Sequence, residues 1–234
     1  MEINLTSKPK NPIIIEGFPG LGLIGTICTE YLIKHLDAKS IGTIWSDKIM
    51  PIAAMHEGRL IQPLEIFYSQ KYNIVIIHAI TDVRGIEWEL GKTVVDLAKQ
   101  LGAKQIVSLE GLMGQNAQSK SYFYTNDSAA KQKMINLKVE ELKEGIVMGI
   151  TAAILLKNNS IKTTGIFAET ASKLPDSRSA AKIIEILDGY LGLNVDVKPL
   201  LKAAKEFESK LKGLMEQTQQ TIDHKKARDL SYLG

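Results

Sequence analysis

Short apolar runs alternate along this chain with longer segments whose apolar residues recur every three or four positions. The runs are typical of buried strands, and the recurring pattern is typical of amphipathic helices. The predicted strands are residues 13–16, 41–45, 73–80, 105–109 and 163–169. The predicted helices are residues 21–36, 86–101, 145–156 and 180–191. This alternation predicts a three-layer α/β/α protein, in which helices cover both faces of a mixed, largely parallel sheet.

Two segments depart from the alternation. The Glu57-Gly58 pair lies between two arms rich in strand-forming residues, which predicts a β-hairpin over residues 52–68 and makes the sheet mixed. Residues 114–133 are polar and rich in small residues, so we expect an excursion with one short strand at most. The segment 145–156 is almost wholly apolar, so its predicted helix is expected to be buried.

The C-terminal part of the chain has a coiled-coil-like pattern. Its apolar or small positions step alternately by four and three residues: Leu200, Ala204, Phe207, Leu211, Leu214, Thr218 and Thr221. This seam predicts a long helix that packs either on its own domain or against a neighbouring subunit of a homo-oligomer. The predicted organisation is a core domain over residues 1–197 and a helical extension with a tail over residues 198–234.

Composition argues against several classes of protein. The 234 residues carry a formal net charge of +3, and the 29 basic residues are scattered rather than clustered with aromatics, which argues against a nucleic-acid partner. The single Cys28 excludes an intrachain disulfide and a multi-cysteine metal site. No signal segment and no apolar run long enough to span a bilayer are visible, so we expect a cytoplasmic protein with no membrane partner.

A glycine-rich segment follows the first apolar run, and Gly20, Gly22 and Gly25 have the spacing G-x-G-x-x-G. This spacing between a strand and a helix occurs in dinucleotide-binding domains, and Asp47 lies near the distance expected for a ribose-binding acid. The following hairpin and the Phe18-Pro19 pair argue against a dinucleotide. The alternative is structural, because glycines allow a strained turn and close packing of a helix on a sheet.

Acidic residues follow three of the predicted strands. Asp82, Glu110 and Glu169 are expected at the carboxyl ends of strands, where ligands bind in open α/β sheets. With Gly20 they form a possible crevice that could hold a metal or supply an acid and a base. Alternatively, they cap helices or pair with Arg84. Their spacing matches no metal-binding or catalytic motif, so no metal ligand, catalytic residue or cofactor is predicted. An open crevice lined by these acids would favour an enzyme, and a filled one a chaperone.

Three stretches of the chain carry a combined resemblance. The first is the glycine segment, through Gly17, Pro19, Gly20, Gly22 and Gly25. The second is the apolar segment 145–156, and the third is residues 165–187, where a strand is followed by an acid, Pro-Asp and Ala-Ala. Together they resemble the proteasome assembly chaperone 2 family over about residues 12–208. The resemblance implies a phosphorylase/hydrolase-like α/β/α fold and no enzymatic activity. It also implies, for archaeal members, a partner in the alpha-subunit ring of the 20S proteasome.

The resemblance also implies a docking tail. Some family members end in a hydrophobic–Tyr–any tripeptide that binds between alpha subunits as an aromatic anchor with a terminal carboxylate. This chain ends in Leu230, Ser231, Tyr232, Leu233 and Gly234, so its tyrosine is third from the end and follows a serine. Either Tyr232 docks with an altered carboxylate geometry, or the tail is a degenerate copy.

Two functional hypotheses follow. The leading one is a non-enzymatic, homo-oligomeric assembly chaperone or ATP-independent activator that binds the proteasome alpha ring through Leu230, Tyr232, Leu233 and Gly234. The alternative is a nucleotide- or phosphate-binding enzyme of the phosphorylase/hydrolase type that uses the crevice beyond the strand ends.

Overall fold

The computed structural model describes residues 1–49, 54–56, 58–114, 120–158, 160–170 and 174–202. Contacts divide the chain into two compact units, Met1–Val195 and Asp196–Gly234. The strands of the first unit are β1 (Glu2–Leu5), β2 (Ile13–Gly17), β3 (Lys39–Trp45), β4 (Ala54–His56), β5 (Arg59–Ile61), β6 (Leu64–Ser69), β7 (Ile74–Ala79), β8 (Gln105–Met113), β9 (Ser121–Thr125), β10 (Glu140–Glu141) and β11 (Thr163–Thr170). Its helices are α1 (Ile24–His35), α2 (Glu87–Leu101), α3 (Ser128–Asn136), α4 (Gly149–Lys157) and α5 (Ser177–Leu191), and a 3-10 turn at Leu21–Leu23 precedes α1.

Nine of the described strands form one mixed sheet in the order β1-β3-β6-β7-β2-β8-β11-β9-β10. The four central strands, β7, β2, β8 and β11, run parallel. On one side β6, β3 and β1 continue antiparallel, and on the other β9 is antiparallel to β11 and parallel to β10. Because the parallel strands are contiguous, their carboxyl ends share one edge of the sheet, where ligand crevices of open α/β sheets lie.

Helices cover both faces of this sheet. On one face α2 and α4 pack on each other, and an apolar core there includes Ile14, Val75 and Ile106. Successive strand residues point to opposite faces, so the buried Ile15 and Val107 point to the other face. There α1 and α5 pack on each other, α1 contacts β2, and α5 contacts β11. The predicted α/β/α arrangement with a mixed sheet is confirmed.

The hairpin segment is more complex than the sequence predicts. β4 and β5 pair antiparallel as a small separate sheet, with Gly58 at the turn in the left-handed region (φ 74°). The second predicted arm is interrupted at Pro63, which has no amide to donate to a strand ladder. Beyond it β6 pairs with β3 and β7 in the main sheet. One predicted hairpin is therefore a short hairpin followed by a strand of the central layer.

Two further expectations need correction. The polar excursion contains the short strand β9 but also a helix, α3, which begins where the Asp127 side chain accepts a hydrogen bond from the Ala130 amide (3.0 Å). The apolar segment 145–156 is helical only from Gly149, and it is not wholly buried, since Ile146 is 81% and Met148 65% exposed. Residues 145–148 instead border the crevice described below.

The second unit is described only at its start. Residues 198–202 are helical, and the Leu201 amide donates a hydrogen bond to the Val197 carbonyl (3.0 Å). The seam beyond Leu200 and the rest of the predicted long helix lie outside the described residues. The division into a core over residues 1–197 and an extension over residues 198–234 therefore stays a prediction.

Candidate functional site

The glycine-rich segment forms a tight turn between β2 and α1. A Cβ on Gly17 would lie 2.3 Å from the Gly25 carbonyl oxygen, and one on Gly25 would lie 2.4 Å from the Leu109 carbonyl oxygen. Gly22 has a φ of 62°, in the left-handed region that favours glycine. Gly17 and Gly25 thus allow the start of α1 to pack directly against the ends of β2 and β8.

The surroundings of this turn do not match a dinucleotide site. Asp47 follows β3, which lies three places from β2 in the sheet, whereas a ribose-binding acid follows the neighbouring strand. The Gly22 carbonyl accepts a hydrogen bond from the Asp176 amide (2.8 Å), just before α5. A Cβ on Gly22 would lie 3.2 Å from side-chain atoms of Asp176 and Thr170. These contacts favour the structural interpretation of the glycines.

A crevice of about 1290 Å³ lies beyond the carboxyl ends of the central strands. It is lined by the turn from Phe18 to Leu21 and by most of the segment from Glu140 to Thr151, which leads into α4. Glu16 of β2 and Glu110 of β8 also line it. The crevice is open rather than filled, which is the arrangement expected of an enzyme rather than of a chaperone.

The structure brings some of the predicted crevice residues together. Gly20, Glu110 and Glu169 line the crevice, and Glu169 accepts a hydrogen bond from the Tyr122 hydroxyl (3.0 Å). Asp82, which the sequence predicts at the crevice, does not line it. Its carboxylate accepts hydrogen bonds from the amide (3.0 Å) and Nε (2.6 Å) of Arg84. The Arg84 guanidinium holds the pKa of Asp82 below its usual range, so this pair is the alternative foreseen from the sequence.

Glu16 is a crevice residue that the sequence reasoning missed. It lies within an apolar run, is 1% exposed, and its Oε1 has no hydrogen-bond partner. Burial raises the pKa of Glu16 to about 8, and the nearby Glu110 carboxylate raises it further, whereas the Ser108 and Thr151 hydroxyls act in the opposite direction. Glu16 is therefore mostly protonated at neutral pH. A charged residue inside a β-branched run was the available signal, because such residues are rarely buried without a partner.

Glu110 lies beside it on the neighbouring strand. Burial raises the pKa of Glu110 to about 7, against the lowering effect of the Thr151 hydroxyl. Its Oε2 is buried without a hydrogen-bond partner. Its Oε1 faces two glycines, since a Cβ on Gly20 or on Gly149 would lie 3.6 Å from it. The raised pKa of Glu110 follows from its burial, and neither glycine has a side chain that could cover its Oε1.

The rest of the crevice combines acidic and apolar side chains. Its further carboxylates, the rim acids, are Glu87, Glu140, Glu141, Glu144 and Glu169. Its cationic side chains are Arg84 and Lys143. Apolar lining comes from residues such as Phe18, Leu21 and Ile150, and from the exposed Met113 and Met148. The acidic excess disfavours a phosphate or another anion, which the nucleotide-binding alternative requires.

The chemistry available in the crevice is limited. The pair of carboxyls with raised pKa values has the form of an acid–base pair. The described lining residues include no Ser, Cys or His. Side chains of nucleophilic type in the lining include Lys143 and Thr151, and the Thr151 hydroxyl interacts with Glu16 and Glu110. Among the described residues no group of three or more His, Cys, Asp or Glu side chains is arranged to hold a metal ion. This geometry supports a ligand-binding crevice.

The predicted docking tail cannot be placed on this structure. Leu230, Tyr232, Leu233 and Gly234 lie outside the described residues, as does the seam from Ala204 onward. In the part of the chain that is described, no helix is long and apolar enough to cross a membrane.

Comparison with known proteins adds independent findings. The model of the PAC2 family matches residues 14–215. An uncharacterized protein of Methanocaldococcus jannaschii is 32% identical over 210 residues, which cover 89% of this chain and 87% of that protein.

Two solved structures from Pyrococcus furiosus are similar over nearly the whole chain. PbaA, an archaeal homolog of proteasome-assembly chaperone, is 31% identical, with a TM-score of 0.84 and 97% coverage of both chains. PbaB, an archaeal proteasome activator, is 22% identical, with a TM-score of 0.78 and coverage of 92% of this chain and 98% of that one. The likeness to PbaB shows the fold alone.

Proposed function

Because the chain belongs to the PAC2 family, we propose that it is a homo-oligomeric, non-enzymatic assembly chaperone or activator of the proteasome, which binds the alpha-subunit ring through its C-terminal tail. The observation that carries the proposal is the similarity to PbaA, an archaeal homolog of proteasome-assembly chaperone, at 31% identity over 97% of both chains. Coverage at this level includes the core and extends into the C-terminal region rather than matching a shared sheet alone.

The tail supplies the binding element in this proposal. Tyr232 provides a large apolar surface with a hydroxyl, at low conformational-entropy cost, which suits it as an anchor in a pocket between subunits. The basic residues ahead of it, Lys225, Lys226 and Arg228, favour approach to an acidic surface.

Oligomerisation increases the strength of such a contact. Several tails on one particle engage several equivalent pockets of a ring, and each added contact is intramolecular once the first has formed. The seam residues Leu211 and Leu214 are the proposed subunit contact. The oligomer is tested by the solution mass of the Leu211→Glu, Leu214→Glu double variant of the full chain. The proposal expects a smaller particle, with Lys210→Glu, Lys212→Glu as the control that keeps the native mass.

The binding experiment compares three forms of the chain with isolated alpha rings by sedimentation velocity. The full chain and its Tyr124→Ala variant, which alters an exposed tyrosine of β9, are expected to co-sediment with the rings. The form lacking residues 232–234 is expected not to. Equal co-sedimentation of all three forms would reject the tail as the binding element.

A further inference from the structure

We propose that the crevice at the strand ends binds an organic cation, a primary ammonium or guanidinium group carried on a short apolar chain, with Glu110 as its counter-ion and Glu16 beneath it. This inference does not depend on binding to the proteasome. Three features of the crevice support it: its charge, its unpartnered carboxyl oxygens and its apolar lining.

The first observation is the pair of unsatisfied carboxyls. Glu16 is 1% exposed, lines the crevice, and has an Oε1 without a hydrogen-bond partner. Oε2 of Glu110 is likewise buried without a partner. A buried polar atom without a partner is unfavourable, so such atoms are rare unless a ligand or another function requires them. Two on neighbouring strands at one crevice indicate a binding site.

The second observation is that Glu110 is approachable. Gly20 and Gly149, whose Cβ positions would each lie 3.6 Å from Glu110 Oε1, have no side chain that could cover this oxygen. Gly149 has a φ of 74°, so a side chain there is disfavoured by the backbone as well. A donor group on a narrow chain can therefore reach Oε1.

The third observation is the sign of the charge. Glu141 pairs with Lys131 (2.7 Å) and Arg84 pairs with Asp82, and the other four rim acids outnumber the remaining lining cation, Lys143. The rim therefore attracts cations and repels phosphates. A divalent metal fits less well, because Mg²⁺ keeps several waters that would separate it from the apolar lining, and in the described part of the chain no group of three or more His, Cys, Asp or Glu side chains is placed to hold a metal.

The fourth observation concerns the body of the ligand. Phe18, Leu21 and Ile150 line the crevice near the two carboxyls, and Met113 and Met148 border it while 65% exposed each. Methionine adapts to varied apolar shapes. An alkyl chain that carries the cation would bury against these side chains, which a hydrated metal ion would not do.

The roles of the two carboxyls differ. Burial raises the pKa of both carboxyls, and because they interact they titrate as a coupled pair. Glu16 is 1% exposed whereas Glu110 is only partly buried, so an entering cation reaches Glu110 first, and the charge on Glu110 keeps Glu16 protonated. The pair then carries one negative charge, which matches one monovalent cation. Protons compete with the cation for this charge, so the affinity is expected to be several-fold lower at pH 6 than at pH 7.

The test is a titration of the full chain followed through the ¹³C-labelled glutamate side-chain carboxyls by NMR, in buffers without amines. The probes are n-butylammonium and the tripeptide acetyl-Ala-Lys-Ala-amide, which distinguish a free amine from a lysine side chain. Either probe is expected to shift the Glu110 signal, with weaker binding at pH 6. Binding to each variant is followed through the remaining carboxyl of the pair, Glu16 in Glu110→Gln and Glu110 in Glu16→Gln. Glu110→Gln is expected to lower the affinity at least tenfold, and Glu16→Gln, which mimics a protonated acid, to retain it within about threefold.

The control is Glu185→Gln, which removes the same charge from an exposed site on α5 outside the crevice and is expected to bind as the native chain does. The proposal is overturned if neither probe shifts the Glu110 signal at millimolar concentration, or if Glu110→Gln binds as well as the native chain. It is also overturned if inorganic phosphate, Mg²⁺ or Ca²⁺ shifts that signal and the organic cations do not.

Discussion

Glu16 and Glu110 lie on adjacent parallel strands, with Glu16 paired in register to Ser108, so that both carboxyls point to the same face at the same end of the sheet. Both carboxyls are shielded from water, and this burial raises their pKa values in the folded chain. Their ionisation behaviour therefore gives the most direct view of the crevice.

The pH dependence of stability tests the environment of Glu16. Its pKa is about 8 in the folded chain against an ordinary value of 4.5, so its protonated form favours folding below pH 4.5 and this stability is lost as the pH rises through 8. Glu16 alone is expected to lower the free energy of unfolding by about 1.4 kcal/mol per pH unit across this window. Glu16→Gln removes that slope.

The measurement is urea denaturation at several pH values from 5 to 7.5. The exposed Glu185→Gln serves as the control and should keep the native slope. If the free energy of unfolding depends on pH equally in Glu16→Gln and in the native chain, Glu16 is ionised in the folded chain and burial does not raise its pKa.

The glycine turn predicts unequal effects within one motif. Gly25→Ala places a Cβ 2.4 Å from the Leu109 carbonyl oxygen, so α1 must shift, and a loss of about 2–3 kcal/mol in the free energy of unfolding is expected. Gly20→Ala places its Cβ no closer than 3.6 Å to any neighbour and should change stability by less than about 1 kcal/mol. Thermal unfolding of both variants measures the difference, and equal losses would contradict the packing described for the turn.

Asp176 links the glycine turn to α5. Its side chain accepts hydrogen bonds from the amide (3.0 Å) and the hydroxyl (2.8 Å) of Ser179, and its amide donates to the Gly22 carbonyl (2.8 Å). Asp176→Ala is expected to lower stability by about 1 kcal/mol, since it removes a helix cap, whereas Asp176→Asn should retain most of it. Chemical denaturation compares the two, and an alanine variant as stable as the native chain would exclude a capping role.

Substitutions at Tyr232 separate the contributions of its aromatic ring and of its hydroxyl group to binding. If Tyr232 acts as an aromatic anchor, Tyr232→Ala should weaken binding to alpha rings by about tenfold or more, and Tyr232→Phe should retain most of it. Surface plasmon resonance on immobilised rings gives both dissociation constants. Loss of binding in Tyr232→Phe as large as in Tyr232→Ala would show that the hydroxyl, rather than the ring, provides the contact.

The sequence pattern predicts the central layer well, because strands buried on both faces appear as continuous apolar runs such as residues 73–80. It misses α3, because the helix has few apolar positions and its main local signal is the capping Asp127. It starts α4 too early, at residue 145 instead of Gly149. The reason is that composition does not distinguish an apolar segment beside a crevice from one inside a core. In both places tertiary packing, rather than local propensity, determines the structure.

The candidate site is predicted only in part. In the structure Glu110 and Glu169 line the same crevice as Gly20, because the parallel strands that carry them share one edge of the sheet. The prediction of Asp82 as a crevice residue is not met. Its carboxylate instead accepts a hydrogen bond from Arg84, two residues along the chain. Glu16 is missed because register between β2 and β8, which no local pattern encodes, decides that its side chain lies next to Glu110.

The proposed function requires that this chain binds the proteasome alpha ring. Native mass spectrometry of the full chain mixed with isolated alpha rings measures this binding. We predict a complex whose mass equals one ring plus one oligomer of this chain, and its loss when residues 232–234 are removed. Separate masses of ring and chain at micromolar concentrations of both, with no complex, would contradict the claim.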